Sequence, residues 1–177
     1  HIKHFLLGNN IMGTVGCIAI KDFLLNPHKP KINTWYIAGN DVNTEGIKYI
    51  VDGLENDTDV RELWLKRNPI KAEGMKHIQR LLEKNKTLTI LDLHNTAVFD
   101  EGAKYLFEAL KTNRCLDFLY LDANGITEVG TNYIADYFDY LVMTNKKGIT
   151  SLWVDMNQLG NNGVKRICQS LKNYKYL

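Results

Sequence analysis

The chain has 177 residues, 45% of them hydrophobic and 24% charged, with a formal net charge of +2. That balance excludes a disordered segment and a strongly basic nucleic-acid binder. Three cysteines, Cys17, Cys115 and Cys168, are too sparse for a disulfide-stapled secreted scaffold, so a cytoplasmic, reducing setting is expected.

In chain order, the first predicted element is a short strand. Phe5 and Leu7 alternate with Leu6 after a leading Ile2, Asn10 follows, and Gly16 then opens a helix with Ile20 and Leu24 on one stripe. Asn9, Asn10 and three glycines interrupt this apolar opening, which argues against a signal peptide. A connection with two prolines, Asn26-Pro27-His28-Lys29-Pro30-Lys31, suits a stiff return loop. The same order then returns as Ile32, Trp35/Ile37, Asn40, Gly46 and Ile50/Leu54, and again as Val60, Leu63/Leu65, Asn68, Gly74 and Ile78/Leu82. A fourth unit reads Leu88, Leu91/Leu93, Thr96, Gly102 and Leu106/Leu110, and a fifth Leu116, Leu119/Leu121, Asn124, Gly130 and Ile134/Phe138. Extra residues between Asp139 and Gly148 predict a longer fifth helix. The sixth unit is Ile149, Leu152/Val154, Asn157, Gly163 and Ile167/Leu171, and Leu177 stands where a seventh would begin.

Each unit changes period midway. Alternation over three residues is a strand with one buried face; apolar residues four apart after the glycine form the buried stripe of a helix. Strand then helix, repeated with short connections, predicts a right-handed α/β solenoid. Its parallel strands line the concave side and its helices the convex side, in one domain of six repeats starting near residues 2, 32, 60, 88, 116 and 149. The asparagine amide both donates and accepts, so a ladder of asparagines is expected to staple successive turns. Thr96 breaks that ladder and predicts a looser or hydrated turn.

Glu45, Glu73 and Glu101 precede Lys48, Lys76 and Lys104 by three residues, which predicts self-neutralised pairs on the convex face. Asn56 and Asn85 begin glycosylation-type tripeptides at what reads as matching repeat positions. The histidines His28, His77 and His94 have no ligand-like spacing, so no metal is expected. Gly8 to Gly16 lacks the lysine that makes a phosphate loop, and no cofactor or catalytic residue is expected. Cys17 and Cys168 fit helix-packing positions and Cys115 the turn before a strand. No stretch approaches about 18 consecutive apolar residues, so no membrane partner is expected.

Binding is expected on the outward positions of the strands. One column reads Leu6, Tyr36, Trp64, Asp92, Tyr120 and Trp153; the next reads Gly8, Ala38, Lys66, His94, Asp122 and Asp155. On the other side run His4, Thr34, Glu62, Ile90, Phe118 and Ser151. Trp35 should be buried. Large exposed aromatics are the usual anchors of protein interfaces. The expected partner-binding set is therefore Tyr36, Trp64, Lys66, Arg67, Asp92, His94, Tyr120, Asp122, Trp153 and Asp155. Cross-strand stacking that only stabilises the sheet is the competing reading.

The pattern L-x-x-L-x-L-x-x-N-x-[ILV]-x-x-x-G-x-x-x-L-x-x-x-L resembles the ribonuclease-inhibitor-like leucine-rich repeat over residues 2 to 177. That resemblance implies a non-catalytic protein-binding scaffold, as in innate-immune sensors and in effectors that bacteria inject into host cells. Two further roles are compatible with it. One is a GTPase-activating protein acting through a loop arginine, for which Arg67 is the candidate. The other is a spacer that self-associates end to end, since neither end shows a polar cap. The missing caps also lead to the expectation that the chain is a piece of a longer repeat array.

Overall fold

The computed structural model describes residues 2–175; His1 and Leu177, with its expected seventh repeat, lie outside them. Six strand–helix units follow one another: β1 (His4–Leu6), α1 (Gly13–Leu25), β2 (Thr34–Tyr36), α2 (Thr44–Leu54), β3 (Glu62–Trp64), α3 (Lys71–Lys84), β4 (Ile90–Asp92), α4 (Phe99–Leu110), β5 (Phe118–Tyr120), α5 (Glu128–Thr144), β6 (Ser151–Trp153) and α6 (Gly160–Leu171). The strands form one parallel sheet in sequence order, each paired only with its neighbours. Among the described residues each helix has as helical neighbours only those before and after it. This is the expected α/β solenoid. Its register places Phe5, Trp35, Leu63, Leu91, Leu119 and Leu152 side by side. Leu63, Leu91 and Leu119 point into a core shared with Ile50, Ile78, Leu106 and Ile134 of the helices. Trp35 is buried, held edge-on between Phe5 and Phe23.

The asparagine ladder is realised with two bonds in each direction. The Asn68 Oδ1 accepts from the N–H groups of Asn40 (2.9 Å) and Val42 (3.0 Å), and its Nδ2 donates to the carbonyls of Ile37 (3.0 Å) and Leu65 (2.7 Å). Asn124 repeats this toward Thr96, Val98 and Leu93. At Thr96 the ladder is interrupted. The Thr96 hydroxyl donates to the carbonyl of Leu93 in its own repeat (2.7 Å), and the Ile70 N–H turns to the carbonyl of Asn68 (2.8 Å). An N–H to carbonyl bond across two residues is a γ-turn, and Pro69 at its centre has the fixed negative φ such a turn uses. At the equivalent position Ile11, Asp41, Ala97 and Gly125 have positive φ, which proline cannot adopt.

A second set of side chains staples the return loops, and it was not read from the sequence. Asn85 Oδ1 accepts from Thr87 and Leu88 N–H while its Nδ2 reaches the Leu54 carbonyl; Asn113 makes the equivalent bonds to Cys115, Leu116 and Leu82. Asp57 holds this position in the second repeat, where its carboxylate pairs with Lys29 at 2.9 Å. The two glycosylation-type tripeptides are thus one residue out of step: Asn85 is a buried staple matching Asp57, and Asn56 is exposed.

Some helix charges pair within a repeat, as Lys111 does with Glu108, but among the described residues the expected Glu45–Lys48, Glu73–Lys76 and Glu101–Lys104 pairs do not form. Arg80 instead meets Asp52 and Glu55, and Arg166 meets Asp136 and Asp139. Lys76 lies over the ring of Tyr105, whose hydroxyl donates to Glu101. The second insertion lengthens α5 as expected, closing on Asn145 in the left-handed conformation. Cys17 is buried, but Cys168 is exposed on α6, a correction to its expected packing role.

Candidate functional site

Alternation in β2 to β6 turns Tyr36, Trp64, Tyr120 and Trp153 outward in one register column. They do not stand free in solvent as expected; all four are half-buried against one another. Ring centroids are 6.3 Å apart for Tyr36–Trp64, 5.7 Å for Trp64–Tyr120 and 4.2 Å for the stacked pair Tyr120–Trp153. Trp64 and Tyr120 are two strands apart, a backbone separation of about 9.6 Å. Their rings therefore lean toward each other over the short side chain between them, which is Asp92.

That lean corrects the expected exposure of Asp92, which is only 3% exposed. Its Oδ1 accepts from the His94 N–H at 2.8 Å. Burial raises its pKa above the usual carboxylate value, and the His94 N–H and the Lys66 charge only partly oppose this. Asp122, also expected in the open, is 8% exposed; its Oδ1 accepts from the Asp155 N–H at 3.0 Å, and its Oδ2 lies 3.7 Å from His94 Nδ1. Asp155 itself is exposed.

The cations lean toward the N-terminal side. Lys66 Nζ sits 5.4 Å above the Tyr36 ring. Arg67, exposed and with a φ of 58°, reaches the Asn9 side-chain oxygen at 3.4 Å. A polar chain borders the aromatic strip. Thr34 bonds to His4 (2.9 Å) and donates to Glu62 (3.0 Å), which also accepts the Trp64 indole N–H (3.2 Å). His4, Thr34 and Glu62 belong to the outward column to which sequence reading gave no role. Their i+30 and i+28 spacing is the signal that could have linked them.

Trp64, Lys66, Arg67, Asp92, His94, Tyr120 and Asp122 together line a cleft of about 350 Å³. Seven of the ten expected residues thus converge. Tyr36 and Trp153 extend the strip on either side, and Asp155 lies beyond the cleft. A second recess, about 340 Å³, lies beside the first insertion, but there Lys29 is already held by Asp57 and Asp59 (2.9 and 2.7 Å). Among the described residues, no group of three or more His, Cys, Asp or Glu side chains could hold a metal ion, and no helix is long and apolar enough to cross a membrane.

Fold, register and staples together define a leucine-rich-repeat fold. A family model described as leucine-rich repeat matches residues 84–107. No curated protein matches the chain in sequence. Among solved structures, the chain is similar to leiomodin-1 actin-binding site 2, with a TM-score of 0.66 and 17% identity over 90% of this chain and 87% of that one. It is also similar to the tropomodulin C-terminal domain of Caenorhabditis elegans, with a TM-score of 0.60 and 11% identity over 98% and 84% of the two chains. At such identities the likeness is one of fold.

Proposed function

We propose that the chain is a non-catalytic, intracellular protein-interaction scaffold that docks a protein partner along its concave face. The observation that carries this reading is the cleft itself: aromatic, basic and acidic side chains from β3, β4 and β5, and from the turns that follow them, converge on one outward surface. Half-buried aromatic rings framed by charged groups are what anchors a protein interface. Ring stacking also stabilises the sheet, so the two roles must be separated by experiment. The description of leiomodin-1 names an actin-binding site, which makes actin one specific partner to test.

The test is retention of proteins from a native lysate, with actin co-sedimentation alongside, comparing the wild-type chain with Lys66→Glu/Asp122→Lys/Asp155→Lys. These changes replace no aromatic residue of the strip. The expected result is a protein held by the wild type and lost from the variant at equal helical content. Equal retention by both would remove the concave face from the function.

A further inference from the structure

We infer that the concave cleft is a receptor for an arginine side chain presented by the protein partner, its guanidinium lying on the Trp64 and Tyr120 rings above the Asp92 and Asp122 carboxylates. This rests on the reading of the concave face as the docking surface and gives that surface a ligand chemistry.

Three observations lead to it. First, among the described residues no lysine or arginine pairs with the acids in the cleft, and Asp122 has only the His94 ring, 3.7 Å away. Neither Lys66 nor Arg67 comes within ion-pair distance of Asp92 or Asp122 among the described residues, because both cations are turned toward Tyr36 and Asn9. Second, Asp92 is 97% removed from solvent yet has only one oxygen engaged, by the His94 N–H; the cleft is the space left for the other. An oxygen left open at the cleft is within reach of an incoming charged donor. Third, the neighbouring step of the same strip already holds a cation: Lys66 lies over Tyr36. Repeating that arrangement one step along requires a cation from outside, since among the described residues none lies over Trp64 or Tyr120. Aromatic faces over carboxylates favour a planar guanidinium over an ammonium, because it stacks and donates two hydrogen bonds at once.

The test uses the 177-residue chain and four capped tripeptides, acetyl-Gly-X-Gly-amide, with X as arginine, lysine, citrulline or glutamate. Citrulline keeps the shape of arginine without its charge. Binding is read from the indole N–H resonances, with Trp64 assigned by its loss in Trp64→Phe. The arginine peptide is expected to move the Trp64 resonance, the lysine peptide to bind several-fold more weakly, and citrulline and glutamate to leave it in place. Added salt should weaken the arginine complex. Asp92→Asn/Asp122→Asn should lower arginine affinity at least tenfold. Citrulline binding as well as arginine, or a Trp64 resonance that arginine does not move, would overturn the inference without relying on any variant's folding. If the peptides fail while the charge-reversal variant still loses a lysate protein, the scaffold reading stands and only the arginine site falls.

Discussion

Asn68 makes four hydrogen bonds, three of which join the second repeat to the third. Such roles were legible from the recurring asparagine alone, because its amide supplies both donor and acceptor at one buried turn. Asp92 was not legible. Its position in an outward column was correct, but its burial depends on rings from the repeats on either side leaning inward, and that is set by the volume of neighbours rather than by its own place in the pattern. A prediction follows from its raised pKa. The charged form is disfavoured in the fold, so the penalty is absent below the unfolded value near 3.8 and enters as pH rises through the folded value. Asp92→Asn, whose oxygen can keep the His94 bond, is expected to raise the melting temperature at pH 7 and to leave it unchanged below about pH 3.8. If the arginine site is correct, the same variant gains stability while losing affinity, the usual sign of a residue kept for binding.

At the scale of the element, the repeat glycine explains how closely consecutive helices pack. A Cβ on Gly102 would lie 2.8 Å from Met75 Cγ, 2.8 Å from Val98 Cγ1 and 3.5 Å from the Ala72 Cα on α3. Gly102→Ala is therefore expected to destabilise the chain by about 1–3 kcal/mol through overpacking. Urea unfolding would check this, and a loss below about 0.5 kcal/mol would mean that α4 shifts without cost. The helices themselves were plain from their four-residue stripes. Their charge partners were not, because i, i+3 spacing describes an isolated helix. In a solenoid the same side chains also face a neighbouring helix, where Asp52 and Glu55 compete for Arg80. The return-loop staples were missed for a related reason: Lys29, Asp57, Asn85 and Asn113 differ in type, so they form a column only once the loops are superposed.

For the whole molecule, repetition made the fold readable, since six copies of one pattern can share only one architecture. Cohesion between the repeats is expected to depend on pH. Lys29 holds the Asp59 carboxyl below its usual range, and hydrogen bonds from Arg166 and Ser170 outweigh burial to do the same for Asp139. Burial disfavours the charged Lys29, but its bonds to Asp59 and Asp57 outweigh that and raise its pKa. Stability from the two aspartates is present above their unfolded value near 3.8 and is lost as pH falls through the lower folded values. Stability from Lys29 is complete below 10.5 and is lost as pH rises through its higher folded value. Thermal melts are expected to show a plateau between about pH 5 and 9 with a fall on each side. In Lys29→Met the alkaline fall should be smaller; an unchanged alkaline limb would show that these loop charges do not join the repeats.

The γ-turn at Pro69 has a mechanical consequence. Between the third and fourth repeats the turn side lacks its amide staple, while the convex side is clamped by the close approach of α4 to α3. A coil fastened on one side and loose on the other bends about the fastened side. Pulled from its two ends, this spring would first gape on the turn side of that joint, and the two halves of three repeats would swing as stiff arms. The Trp64–Tyr120 contact crosses the same joint on the concave surface, so a ligand seated there would act as a splint and stiffen the spring at its softest coil.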